Sequence, residues 1–256
     1  MQQILNQLHL FLLVLARMTG IFSNTPFWGS KNIPGHVKIG LSFIFAFIIF
    51  PLINKPIITI ADNPMAYFLY LAGELIVGLI IGYIAMLILM AIQFAGQLID
   101  MQMGLSMVNV FDPQSSISMP LMGQFKYLLS ILVFLALDAH HQRVITLFNS
   151  YKVIPLMGFQ YSGGFIEYLI YLLQQMFVTA FCLSAPVLGT LFVVDVVLAI
   201  MTRTVPQLNI FVLGFPLKIA VGMIVLIIII PLYITLLSNL FDQMFRDIFT
   251  VLKYLR

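Results

Sequence analysis

The chain has 256 residues, of which 62% are hydrophobic and only 8% charged, and its mean hydropathy is +1.09. A soluble globular chain carries about a quarter charged residues because its surface must be solvated; twelve basic and nine acidic side chains cannot coat a chain of this size. The composition is that of an integral membrane protein. A net charge of +3 spread along the chain gives no support for nucleic-acid binding. The lone Cys182 excludes an internal disulfide and any multi-cysteine metal site, and in its apolar run it acts as a small hydrophobe.

In chain order, the first twenty residues lack a basic start and a small-residue cleavage site, so they read as a retained first helix. A membrane-crossing helix needs about 20 apolar residues. Apolar segments at 4–22, 37–53, 66–99, 125–137, 165–201 and 210–237 give about six spans of uneven length. The fourth is short, whereas the third and fifth exceed one crossing, which suggests hairpins or helices that project beyond the bilayer. Pro186 is expected to kink the fifth segment, and Pro216 and Pro231 to punctuate the last. The linkers are 23–35, 54–65, 102–124, 138–164 and 202–209. Lys31, Lys38, Lys55, Arg143, Lys152 and Arg203 fall in loops on both candidate sides, so the positive-inside rule gives no orientation. The tail 242–256 mixes Arg246, Lys253 and Arg256 with Asp242 and Asp247, as does a short amphipathic end at a membrane–water boundary.

Arg17, Glu74 and Asp195 lie inside apolar segments, where an ionised side chain costs several kcal/mol and must face protein or water. Gln93, Gln97 and Asp100 fall at i, i+4 and i+7 on one helix face. Two readings compete: interhelical packing contacts, or a proton or ion relay. The dispersal of the acidic residues favours packing, as do Gly73, Gly78 and Gly82, which let backbones approach closely.

Residues 101–124 read MQMGLSMVNVFDPQSSISMPLMGQ and hold Met101, Met103, Met107, Met119 and Met122, five of the chain's 15 methionines. Gly104, Asp112-Pro113, Pro120 and Gly123 break a continuous helix. Flexible methionine packs against irregular or changing surfaces, so with Val110 and Phe111 this loop suits a soft seal. Composition by itself favours the plainer reading, packing on neighbouring helices. Enzyme motifs are not found: no metalloprotease, nucleophile-elbow or phosphate-loop sequence occurs. His140 and His141 are adjacent, which makes a poor metal pair, and His9 and His36 are isolated. The expectation is a protein that is not an enzyme and needs no cofactor and no metal, its energy coming from partners or the membrane potential.

Residues 16–43, ARMTGIFSNTPFWGSKNIPGHVKIGLSF, resemble the N-terminal signature of the FliR family of flagellar export proteins. Residues 104–125 resemble that family's Asp-Pro-Gln loop, and 137–157 and 185–219 its later blocks; four blocks in order cover nearly the whole chain. The virulence injectisome homologues share the architecture, but the forms at 112–114 and 205–219 look more flagellar. The resemblance implies an all-α membrane protein of helical hairpins with kinked or broken apolar helices. A FliP-like part (about 1–164) would be joined to a FliQ-like part (about 165–256) in a hetero-oligomeric helical assembly. It implies FliP, FliQ and FlhB as partners, unfolded flagellar subunits as substrates, membrane lipid as surroundings, and a place in the bacterial inner membrane within the flagellar basal body. It turns the methionine-rich loop into a channel plug carried by Met107, Val110 and Phe111 beside Asp112 and Pro113, with Met101, Met103, Met119 and Met122 flanking. Pro206, Gln207 and Asn209 become the turn of the FliQ-like hairpin, and Arg17, Glu74, Gln93, Gln97, Asp100, Asp195 and Arg203 become buried packing contacts. The rivals are a stand-alone secondary transporter coupled through Glu74, Asp100 or Asp195, and a membrane enzyme.

Overall fold

In a bilayer every backbone N–H and C=O must find a partner within the protein, and long apolar runs satisfy this as helices. The computed structural model describes residues 2–25, 33–53, 64–107, 120–161, 163–204 and 210–256. Those residues form seven α-helices and no strand: α1 (Gln2–Asn24), α2 (Gly35–Ile49), α3 (Pro64–Met103), α4 (Leu121–Ala136), α5 (Ala139–Val153), α6 (Phe165–Thr204) and α7 (Ile210–Tyr254). Five are long and apolar enough to cross a membrane, and a sixth span results if α4 and α5, bent by 75° at their junction, count as one. The 40 residues of α3, the 40 of α6 and the 45 of α7 correspond to helices of about 60 Å or more at ~1.5 Å per residue. A hydrocarbon core is about 30 Å thick, so these helices outrun a single perpendicular crossing.

Two expectations are corrected. The stretch 138–164 is not a linker, because 139–153 fold as α5. Its polar sequence hid it from a search for apolar runs, yet a stripe of Ala139, Arg143, Leu147, Ser150 and Tyr151 is buried. The tail 242–256, read as an amphipathic end, supplies the last turns of α7, with Met244, Ile248 and Leu252 buried at the spacing of one helix face. Helical structure runs unbroken through Pro186, Pro216 and Pro231, so the punctuation expected at Pro216 and Pro231 does not end the last helix, although each proline removes one backbone donor.

The chain divides into two compact units. The first comprises Met1–Ile88, Asp138–Leu173 and Phe241–Arg256. Here α1 and α3 meet backbone to backbone: a side chain on Gly78 would collide with the Arg17 carbonyl oxygen, and a Cβ on Gly20 would lie 2.5 Å from that of Leu75. Such small-residue crossings are how membrane helices pack closely where apolar burial gives no driving force. Leu13, Met18 and Ile21 on α1 are fully enclosed, as is Val77 on α3. The α2 helix attaches through aromatic edges, Phe11 to Phe43 at 5.4 Å between ring centroids, and the Tyr151 hydroxyl of α5 donates to the Val14 carbonyl of α1.

The second unit comprises Leu89–Leu137 and Gln174–Leu240. Ile99 and Met103 of α3, Met122 of α4, Val187 and Leu191 of α6 and Leu226 of α7 form its apolar cluster. Within the chain α6 and α7 bury little: only 22% and 11% of their most apolar windows are enclosed, against 56% for α3. Phe192, Val193, Ile227 and Ile228 are each at least 60% exposed. Apolar surface on this scale is stable only against lipid or other subunits.

Candidate functional site

Three polar constellations stand out, and each lies inside one unit. In the first unit, Arg17 and Glu74, 0% and 1% exposed, form an ion pair with Arg17 Nε donating to Glu74 Oε2 at 2.6 Å. Arg17 Nη1 donates to the Ile154 carbonyl at 3.0 Å, and Glu74 Oε1 accepts the Met157 backbone N–H at 3.0 Å. The guanidinium carbon sits 4.2 Å from the Tyr151 ring centroid, a cation–π contact that covers a second face of the charge. The remaining nitrogen, Nη2, has no acceptor among the described residues. One ion pair thus ties α1 and α3 to the chain leaving α5.

In the second unit, Asp100 lies under the first turn of α4. Its Oδ2 accepts the Met122 N–H at 2.9 Å and the Gly123 N–H at 3.3 Å, and its Oδ1 accepts the Met122 N–H at 3.1 Å. The carboxylate serves orphan donors that a helix start always leaves, and it complements the positive end of the helix dipole. The approach that permits this depends on Gly96, since a side chain there would strike the backbone of Gly123. On the other side of the same loop, α3 ends at Met103 and Gly104 turns away with φ +81°, a conformation glycine adopts freely. A side chain at Gly104 would also collide with the Phe215 ring of α7. Both ends of the methionine-rich loop are therefore fixed to this unit by contacts that need those residues.

The third constellation joins the last two helices. Lys218 of α7 pairs with Asp195 of α6, and Gln102 Nε2 of α3 donates to Asp195 Oδ2 at 2.9 Å. These side chains are half-buried, not sealed from solvent.

The sequence-derived residues are thereby placed. Arg17, Glu74, Asp100 and Asp195 all have partners within the chain. Gln93, Gln97 and Arg203, expected to be buried packing contacts, are exposed in the chain by itself. Met103 is fully buried and Met122 nearly so in the apolar cluster, whereas Met101 is 52% exposed. Met107 closes a single 3₁₀ turn, Leu105–Met107, after α3. Val110, Phe111, Asp112, Pro113 and Met119 lie outside the described residues, as do Pro206, Gln207 and Asn209.

The sequence reading missed Lys218, Lys126, Tyr151 and the backbone at 154–157. Charge in an apolar setting, the signal that found Arg17, also marks Lys218 and Lys126. Adjacency does not hold His140 and His141 apart, for their ring centroids lie 4.2 Å from each other. Asp138 takes a left-handed conformation with φ 53° at the α4–α5 bend, and one ligand atom from each of Asp138, His140 and His141 lies within 4.8 Å of the others. The group is solvent-facing and stands at a helix N-terminus, where the dipole opposes a cation; no metal is assigned to it.

The profile of the family described as Bacterial export proteins, family 1, matches residues 8–244. The chain is 40% identical over 245 residues to the Flagellar biosynthetic protein FliR of Bacillus subtilis (strain 168), an alignment covering 94% of each chain. It is 28% identical over 248 residues to the protein of the same name from Escherichia coli (strain K12), covering 96% of this chain and 93% of that one. It is also 28% identical over 223 residues to the Yop proteins translocation protein T of Yersinia pestis, covering 85% and 84%.

Proposed function

The chain belongs to the FliR family of bacterial export proteins, a membrane component of flagellar type III export, and from that premise we propose that it helps form and seal the export channel. Unfolded flagellar subunits pass through a conduit built with FliP and FliQ, with FlhB associated, in the inner membrane at the flagellar basal body. The methionine-rich loop closes that conduit at rest. The division into a FliP-like part, about 1–164, and a FliQ-like part, about 165–256, describes how one copy of this chain would fit among several copies of its partners.

The observation that carries this reading is the base of the loop. A seal that opens for a passing chain and closes behind it needs a compliant tip on a fixed mount. Methionine, valine and phenylalanine supply the compliance, and Asp100, Gly96 and Gly104 supply the mount. Gating is a shift between two packings of the loop, biased by substrate or partners. The protein acts without catalysis, on energy supplied by the membrane's proton motive force and a separate ATPase. The identity of 40% to a flagellar protein against 28% to a virulence translocation protein favours the flagellar machine over the injectisome.

A stand-alone transporter coupled through Glu74, Asp100 or Asp195 would leave at least one carboxylate free to exchange a proton or ion. Each of the three is instead engaged by fixed donors. The largely uncovered α6 and α7 point the same way, toward assembly. Native mass measurement separates the readings: co-expressed with FliP and FliQ, the chain is expected in a particle far heavier than its own 28.9 kDa. A folded monomer that stays monomeric in their presence contradicts the assembly.

A further inference from the structure

Lys126 lies one turn into α4 and is only 3% exposed. Its ammonium donates to the Leu183 carbonyl of α6 at 3.1 Å and sits 4.9 Å from the Tyr233 ring centroid of α7. An ammonium has three donors and carries a full charge. No carboxylate among the described residues pairs with this one. Beside it, the Tyr233 hydroxyl, on a side chain 4% exposed, has no hydrogen-bond partner among those residues. A cation and a hydroxyl donor thus lie on neighbouring side chains, both buried and both short of an acceptor, in surroundings where charge is stable only when paired.

The two groups line a cleft whose other walls include Phe125, Leu129, Val187, Leu226 and Ile230, with a cavity volume of about 20 Å³. A volume of that order holds about one water-sized group, room for the end of a small acceptor such as a carboxylate oxygen. A lone water would satisfy the hydroxyl but leave the charge uncompensated. Around the cleft the surface of α4 is apolar and open, with Phe125 46%, Leu128 52% and Leu132 64% exposed.

We propose that Lys126 and Tyr233 form a docking cleft for a carboxylate side chain carried on an apolar helix of a partner subunit. The two carboxylate oxygens accept from Nζ and from the phenol, and the apolar helix covers the exposed face of α4. The pair then acts as a register pin: it admits a partner helix at one depth only, since an apolar residue at that position leaves both donors unpaired. This inference rests on the export-gate reading, because it needs a partner subunit.

The test is carbodiimide cross-linking of the complex purified with FliP and FliQ, followed by peptide mass analysis. A membrane-permeant carbodiimide condenses an amine with an adjacent carboxylate to an amide and leaves as its urea. The expected product joins Lys126 to an Asp or Glu of another subunit and is absent from Lys126→Met. Lys126→Met is also expected to lower the yield of complex by more than about tenfold, and replacing the identified acid by leucine in that background restores it. An assembled complex in which Lys126 stays unjoined, or joins a carboxylate of its own chain, overturns the proposal while leaving the export-gate reading intact. Failure to co-purify with any partner overturns both.

Discussion

Glu74→Ala is expected to destabilise the protein by about 3–5 kcal/mol, the cost of leaving one member of a buried ion pair without the other. Arg17 is fully enclosed, so it cannot reach water when its partner is removed, and the Met157 N–H loses its acceptor as well. Total stabilities of about 5–15 kcal/mol make this a loss of about a fifth or more. The variant is expected to accumulate poorly in membranes and to aggregate at lower temperature when purified. The double variant Arg17→Met, Glu74→Leu is expected to regain most of the loss, because replacing both charges by apolar groups removes the desolvation cost together with the attraction. A single variant as stable as the wild type would mean that Arg17 finds another counter-charge and that the pair does not hold α1, α3 and the chain after α5 together.

Asp100→Ala is expected to act on the proposed gating and to leave most of the fold in place. It removes the acceptor of the Met122 and Gly123 N–H groups and the negative charge at the start of α4, worth about 1–2 kcal/mol in combination. If those contacts hold the closed packing, the open fraction rises about tenfold, at ~1.4 kcal/mol per factor of ten. The reconstituted complex should then leak ions correspondingly faster at rest. Asp100→Asn keeps one acceptor oxygen without the charge and should fall between. An intact complex with Asp100→Ala that leaks no more than the wild type would show that the base of the loop does not control closure.

How much of this was legible in the sequence depended on the physical signal each residue gave. Arg17 and Glu74 stood out because charge is costly in an apolar run, but nothing in the spacing told that residues 57 positions apart answer each other. Asp195 stood out for the same reason, and its partner Lys218 did not, since it sits beside Pro216 in a segment read for its breaks. The pairing of Asp100 with the amides of α4 is invisible to any pattern of side chains, because the partners are backbone groups. Apolar runs located six of the helices well, yet α5 went unread: its AHHQRVITLFNSYKV sequence buries Arg143, Thr146 and Ser150 with Leu147 and Tyr151. A helix that buries polar groups against protein has no hydropathy signature. The same limit applies to length, for α7 continues well past its last apolar stretch because its final turns pack an amphipathic face within the first unit.

The exposed face of α6 and α7 was foreshadowed only in composition, and its meaning comes from the family. Hydropathy does not separate a helix that meets lipid from one that meets a neighbouring subunit; buried polar groups left short of partners, such as Lys126 and Tyr233, carry the proposal of where a neighbour belongs.

The proposal that this chain seals an export channel is tested most directly by deleting residues 107–111 and recording the resting conductance of the complete complex in a planar bilayer. A plug predicts that the deletion variant, assembled to normal mass, conducts ions at rest where the wild-type complex is closed. A deletion complex of normal mass that stays as tightly closed as the wild type contradicts the plug.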